Sequence, residues 1–142
     1  MTTLAFVLAA MTLLAPDRDH AELGEAIARV VDASPPLFGD VDRRKTAGLV
    51  VAIAYRESLF NNAARSKTND WCAMGIHARP DLANDVDACV RTGLAMLRES
   101  VRACGAANVI GLYAVGNCSS DLGKRFSRDR SAIAAWLVRR LP

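Results

Sequence analysis

The sequence predicts a small, mainly α-helical domain with at most a minor β element. Three observations carry that prediction. Apolar residues recur at helical spacing in several successive segments. No run alternates apolar and polar residues strongly enough to mark a half-buried strand. The 142 residues contain no linker, internal repeat or low-complexity tract, so a single core is expected. Composition agrees, because 51% hydrophobic and 23% charged residues describe a globular chain, not a disordered one.

The N-terminus has two readings. Met1 to Pro16 carries no charged side chain, and the eleven residues Leu4 to Leu14 are nearly all apolar. A bilayer span needs ~20 residues, so no stable membrane span is expected. The run suits the apolar region of an export signal ending near Ala15. Two features run against a standard signal: no Lys or Arg precedes the apolar run, and Pro16 follows Ala15 directly. The alternative is a buried first helix. The remaining residues, 16–142, are expected to form the domain.

The next helix is expected from about Asp19 to Ala33. Asp19 and Glu22 have capping-box spacing, and Leu23, Ala26, Ile27, Val30 and Val31 make one apolar stripe. Ser34-Pro35-Pro36 stops it, since proline lacks an N–H and restricts its predecessor. A second helix is expected over Asp42 to Leu59. Ala47, Val50, Val51 and Ala54 form its stripe, with Leu49 and Ile53 broadening it. So wide an apolar face predicts burial on several sides. Asn61-Asn62 is expected to end it. Ala63 to Asn84 reads as loop with a short strand or hairpin. A third helix is expected from Asp85 to Gly105, with Val86, Val90, Leu94, Leu97 and Val101 inward. Ala106 to Val115 reads as a short fourth helix closed by Gly116-Asn117. A last helix is expected over Ser127 to Arg140, burying Ile133, Trp136 and Leu137.

Four cysteines, Cys72, Cys89, Cys104 and Cys118, are an even count in a small chain and suggest two disulfides. Zinc would call for a close C-x2-C pair, and there is none. Cys89 with Cys104 is disfavoured if one helix joins them, because fifteen helical residues span ~22 Å and bridged Cα atoms lie within ~7 Å. The other two pairings stay open. No metal or cofactor is expected.

Glu57 does not fit a core. It stands at the C-terminal end of the most apolar helix, where the helix dipole disfavours negative charge. Apolar neighbours disfavour it as well, and both effects push a carboxyl pKa upward. A carboxyl kept protonated near neutral pH can act as a general acid on a glycosidic oxygen. The plain alternative is a surface glutamate paired with Arg56 or Arg65.

The neighbours of Glu57 extend the argument. They read Glu57-Ser58-Leu59-Phe60-Asn61, then Ala63-Ala64-Arg65-Ser66, then Trp71-Cys72-Ala73-Met74-Gly75-Ile76. Much later comes Tyr113-Ala114-Val115-Gly116-Asn117-Cys118. In these segments the chain resembles the soluble lytic transglycosylase family, whose members share the lysozyme-like fold with goose-type lysozyme. The resemblance covers about Lys45 to Cys118 and looks closest to a disulfide-stapled subgroup. It implies Glu57 as the catalytic glutamate and Ser58 as the serine that orients the acid or sugar. It implies Met74 as a groove-lining methionine, Tyr113 as the groove tyrosine and Gly116 as the tight helix end. The sequence departs from the pattern twice. Gly75 stands where the family usually has Gln, if Met74 is its Met. Aligning Gly75 to the earlier family Gly instead puts His77 and Ala78 at Met and Gln. Ala114 replaces the Asn that commonly follows the tyrosine.

The resemblance implies cleavage of the β-1,4 bond between N-acetylmuramic acid and N-acetylglucosamine in peptidoglycan, giving 1,6-anhydro ends. One carboxyl suffices for that reaction. A hydrolytic lysozyme would need a second carboxylate, ~5 to 9 Å away, for which Asp70 and Asp81 are the candidates. A non-catalytic, glycan-binding or structural protein is the third reading, since two family amides are missing. Nucleic acid is not the expected partner: the net charge is only +3, and no helix clusters base-reading side chains. Arg56, Arg65 and Lys67, and the run Lys124, Arg125, Arg128 and Arg130, read as solvated charge. His20 and His77 have no evident partner. A monomer in the periplasm, or secreted, in a cellular or phage setting, completes the expectation.

Overall fold

A computed structural model describes all residues, 1–142. It contains six α-helices, a two-stranded antiparallel hairpin and two short 3-10 turns, so the mainly α class holds. The first helix, α1 (Thr3–Leu14), is capped by Thr2, whose Oγ1 accepts the Ala5 N–H at 3.1 Å. Phe6, Val7, Ala10 and Met11 of α1 are fully buried. The helix packs on α2 (Ala21–Asp32) and α3 (Arg44–Ser58). Residues 3–14 are therefore part of the core in this structure. His20 supports the turn after α1, with Nε2 2.6 Å from the Ala15 carbonyl and its ring edge-on to Phe60.

Helix α3 is central, as its broad apolar face predicts. Every residue from Thr46 to Ala54 is buried. It lies between α1 on one side and α6 (Asp121–Arg140) on the other. Helix α4 (Val86–Cys104) packs on α2 and on the short α5 (Gly111–Val115). Asp85 caps α4 through the Ala88 N–H at 3.0 Å. Strands β1 (Asp70–Trp71) and β2 (Ile76–His77) pair Asp70 with His77 and Trp71 with Ile76.

Several details differ from the sequence expectation. The Asp19 capping box does not form: α2 begins at Ala21, and the Asp19 carboxylate accepts the Ala21 N–H at 3.0 Å instead. Helix α3 stops at Ser58, before the Asn pair, because Leu59 and Phe60 both turn left-handed, at φ 52° and 63°. Asn62 instead ties the loop together. Its amide donates to the Leu82 and Ala83 carbonyls, and its Oδ1 accepts the Ala73 N–H. The expected fourth helix is broken into a 3-10 turn (Ala106–Asn108) and α5. Buried Asn108 is the cause: its amide donates to the Cys118 carbonyl at 2.7 Å and its Oδ1 accepts from Ser127 Oγ at 2.6 Å. The last helix starts at Asp121 rather than near Ser127, with Ser120 as its cap. Leu137 is fully buried, but Trp136 is 42% exposed and Ile133 half-buried. Trp136 sits ~100° around the helix from Leu137, off the face that meets α3.

The disulfides are Cys72–Cys89 and Cys104–Cys118. Cys89 and Cys104 stand at opposite ends of α4, so the pairing disfavoured by helix length is absent. One bridge fastens the hairpin to the start of α4. The other fastens the end of α4 to the chain after α5.

Candidate active site

Four elements meet at a cleft of about 470 Å3. Glu57 enters from the end of α3. Asp70, Gly75 and His77 come from the hairpin. Tyr113, Ala114 and Gly116 come from α5 and its end, and Met96 of α4 completes the floor. Gly116 is left-handed at φ 76°, which closes α5 tightly.

The main chain of Glu57 is open at the helix end, yet its side chain keeps only 29% of its exposure. Gly75 accounts for the crowding. A Cβ built on Gly75 would lie 2.6 Å from Glu57 Oε2 and 3.1 Å from Glu57 Cβ. Gly75 also has φ +65°, where side chains with a Cβ are strained. Gly75 thus packs directly on the acid, and any side chain there would crowd Glu57. Burial raises the Glu57 pKa; the Arg130 guanidinium opposes that rise and the charge of Asp70 adds to it. The closest Arg130–Glu57 approach is 3.8 Å, from Nη2 to Oε1.

Asp70 is the second carboxyl of the cleft, and it is pushed the other way. Burial acts to raise its pKa, but hydrogen bonds from Thr68, Ser66 and His77, with the His77 charge, outweigh burial and hold it below the usual carboxylate value. Ser66 Oγ donates at 2.8 Å, and His77 Nδ1 lies 3.1 Å from Oδ1. The arrangement keeps a proton on Glu57 and a negative charge on Asp70 over a shared pH range. Asp81, the other carboxylate considered from sequence, lies outside the cleft, fully paired with Arg79 at 2.9 Å.

Tyr113 lines the cleft, and its hydroxyl donates to the Met74 carbonyl at 2.5 Å. Burial, and then the nearby Glu57 charge, push its pKa well above the usual phenol value. It is therefore a neutral donor that pins the hairpin to α5. Two expected groove residues are placed elsewhere. Met74 is fully buried and does not line the cleft. Its side chain fills a notch at Gly93 of α4, where a Cβ would come within 2.9 Å of it. Ser58 is also outside the cleft lining. Its hydroxyl is shared between the carbonyls of Ala54 at 3.0 Å and Ala73 at 2.9 Å. Ser58 thus positions the helix end against the hairpin and leaves no proton for a sugar.

Sequence reasoning missed Arg130 and the His77–Asp70 pair. Arg130 lay in a basic run that reads as solvated, yet its side chain is only 11% exposed. Its helical spacing from the buried residues Ser127, Ala134 and Leu137 was the available signal. No group of three or more His, Cys, Asp or Glu side chains is placed to hold a metal, and no helix is long and apolar enough to cross a membrane.

Comparison with family models, with curated proteins and with solved structures finds no match to this chain. The functional reading therefore rests on the site itself and on the motif resemblance.

Proposed function

We propose that this chain is a lysozyme-like glycosidase of the lytic transglycosylase type, acting on the glycan strands of peptidoglycan. The observation that carries the reading is a carboxyl group, Glu57, whose pKa burial raises, placed at the end of a core helix and open to a cleft. Glu57 protonates the oxygen that leaves C1 of N-acetylmuramic acid as the C1–O bond breaks. Positive charge builds on the ring, and the ionised Asp70 in the same cleft favours that charge. The C6 hydroxyl of the same sugar then attacks C1 and gives its proton to the Glu57 carboxylate. A 1,6-anhydro end results, Glu57 is restored, and no water is consumed. Asp70 is engaged on both oxygens by Ser66, Thr68 and His77, which suits a fixed charge better than a nucleophile. The two disulfides fit an oxidising compartment such as the periplasm or the cell exterior.

One observation favours a second reading. Asp70 shares the cleft with Glu57, as the base or nucleophile of a hydrolytic muramidase would. Product masses and one variant separate the two. Transglycosylation predicts anhydro-ended muropeptides, with Asp70→Asn slower but giving the same product. Hydrolysis predicts reducing ends, with Asp70→Asn losing at least ~100-fold in rate.

A further inference from the structure

We propose that Arg130 is the positioning residue of Glu57: it holds the Glu57 carboxylate in place while the proton is away, so that the same group can take a proton back as base. The inference deepens the glycosidase reading and rests on it. Its ground is the geometry of Arg130. The side chain leaves α6 and is only 11% exposed. Nη2 stands 3.8 Å from Glu57 Oε1, Nη1 donates to Asp129 Oδ2 at 2.9 Å, and Nε is buried with no partner at all. The guanidinium also lies 4.6 Å from the centre of the Phe126 ring. A buried guanidinium is costly unless its charge is answered.

Asp129 cannot answer it fully, because Arg56 of α3 already grips both Asp129 oxygens at 2.9 Å. Two guanidiniums thus share one carboxylate, and a single positive charge remains to face Glu57. With Glu57 protonated, that charge is unmatched. When Glu57 gives up its proton, the cluster of Arg56, Asp129, Arg130 and Glu57 becomes neutral. The gap of 3.8 Å is wider than a charge-assisted hydrogen bond, and ionisation of Glu57 is the event that closes it. The other ionisable groups facing Glu57 are Asp70 and His77 on the hairpin and Tyr113 on α5. Asp70 opposes the ionised form, and Tyr113 is held neutral. His77 spends its Nδ1 on Asp70. Arg130 is the cation at hand for the acid.

The test is a carbon-13 titration of the Glu57 carboxyl in wild type, Arg130→Met, Arg130→Lys and Asp129→Asn, beside kcat and KM against pH. Arg130→Met is expected to move the Glu57 titration, and the alkaline limb of kcat, to higher pH. Its kcat falls on the order of tenfold while KM holds. Arg130→Lys is expected to return most of the titration shift. Asp129→Asn, which frees the Arg130 charge, is expected to move Glu57 the opposite way. A folded Arg130→Met in which Glu57 titrates as in wild type overturns the inference. Should that variant not fold, an unmoved Glu57 in Asp129→Asn overturns it instead. If wild type cuts no glycan, the glycosidase reading fails, and the titration still decides whether Arg130 governs Glu57.

Discussion

Glu57 and Gly75 act as a pair at the residue scale. The carboxyl is withdrawn from water partly because the backbone at Gly75 lies against it. Gly75→Ala is expected to destabilise the fold by about 1–3 kcal/mol, since it adds a Cβ at positive φ, and to displace Glu57 from the cleft. Circular dichroism melts and a glycan-cleavage assay check the two effects. The raised pKa of Glu57 also links to stability. Its folded value lies above its unfolded one, so its contribution is fully present below the ordinary glutamate value and is lost as pH rises through the raised value. Glu57→Gln is therefore expected to melt above wild type near neutral pH, with the difference shrinking under acid conditions. Asp70 has the opposite sign: its lowered pKa contributes stability above the ordinary aspartate value, lost as pH falls through the folded value. Melting Asp70→Asn across the same pH series checks that branch.

Elements explain which parts of the site could be read from sequence. Glu57 was legible because an acid at the end of a stripe-wide apolar helix contradicts its surroundings. The hairpin was legible only as a loop with a short strand, because two-residue strands leave no periodicity. Met74 and Ser58 misled, since the motif gives their order along the chain but not their direction. Met74 turns into the Gly93 notch, and Ser58 turns back to two main-chain carbonyls. Arg130 was hidden in a run of charge, and its burial depends on α3 lying beside α6, which no local pattern encodes. The helices themselves followed from their stripes, with errors at the ends where Asn108 and the left-handed Leu59–Phe60 pair intervene.

The elements also carry stability predictions. Phe6 of α1 is wholly buried, so Phe6→Ala is expected to cost about 3–5 kcal/mol, measured by urea unfolding. Cys72–Cys89 closes a sequence separation of 17. Replacing both cysteines with Ala is expected to cost roughly 3 kcal/mol and to loosen the hairpin that carries Asp70 and Gly75. Activity is then expected to fall more than the melting temperature alone accounts for.

For the whole molecule, the fold places one rigid wall of the cleft on the buried α3 and the other on a hairpin fastened by a disulfide and by Tyr113. Such a frame sets two carboxyls with opposite pKa shifts in one cleft. The central claim is that this cleft cuts peptidoglycan glycan through Glu57. The most direct test is a digest of purified peptidoglycan by wild type and by Glu57→Gln, both with disulfides intact, with soluble products identified by mass. The account predicts anhydro-ended muropeptides from wild type and none from Glu57→Gln. Equal release by the two proteins, or no release by folded wild type on several wall types, would contradict it.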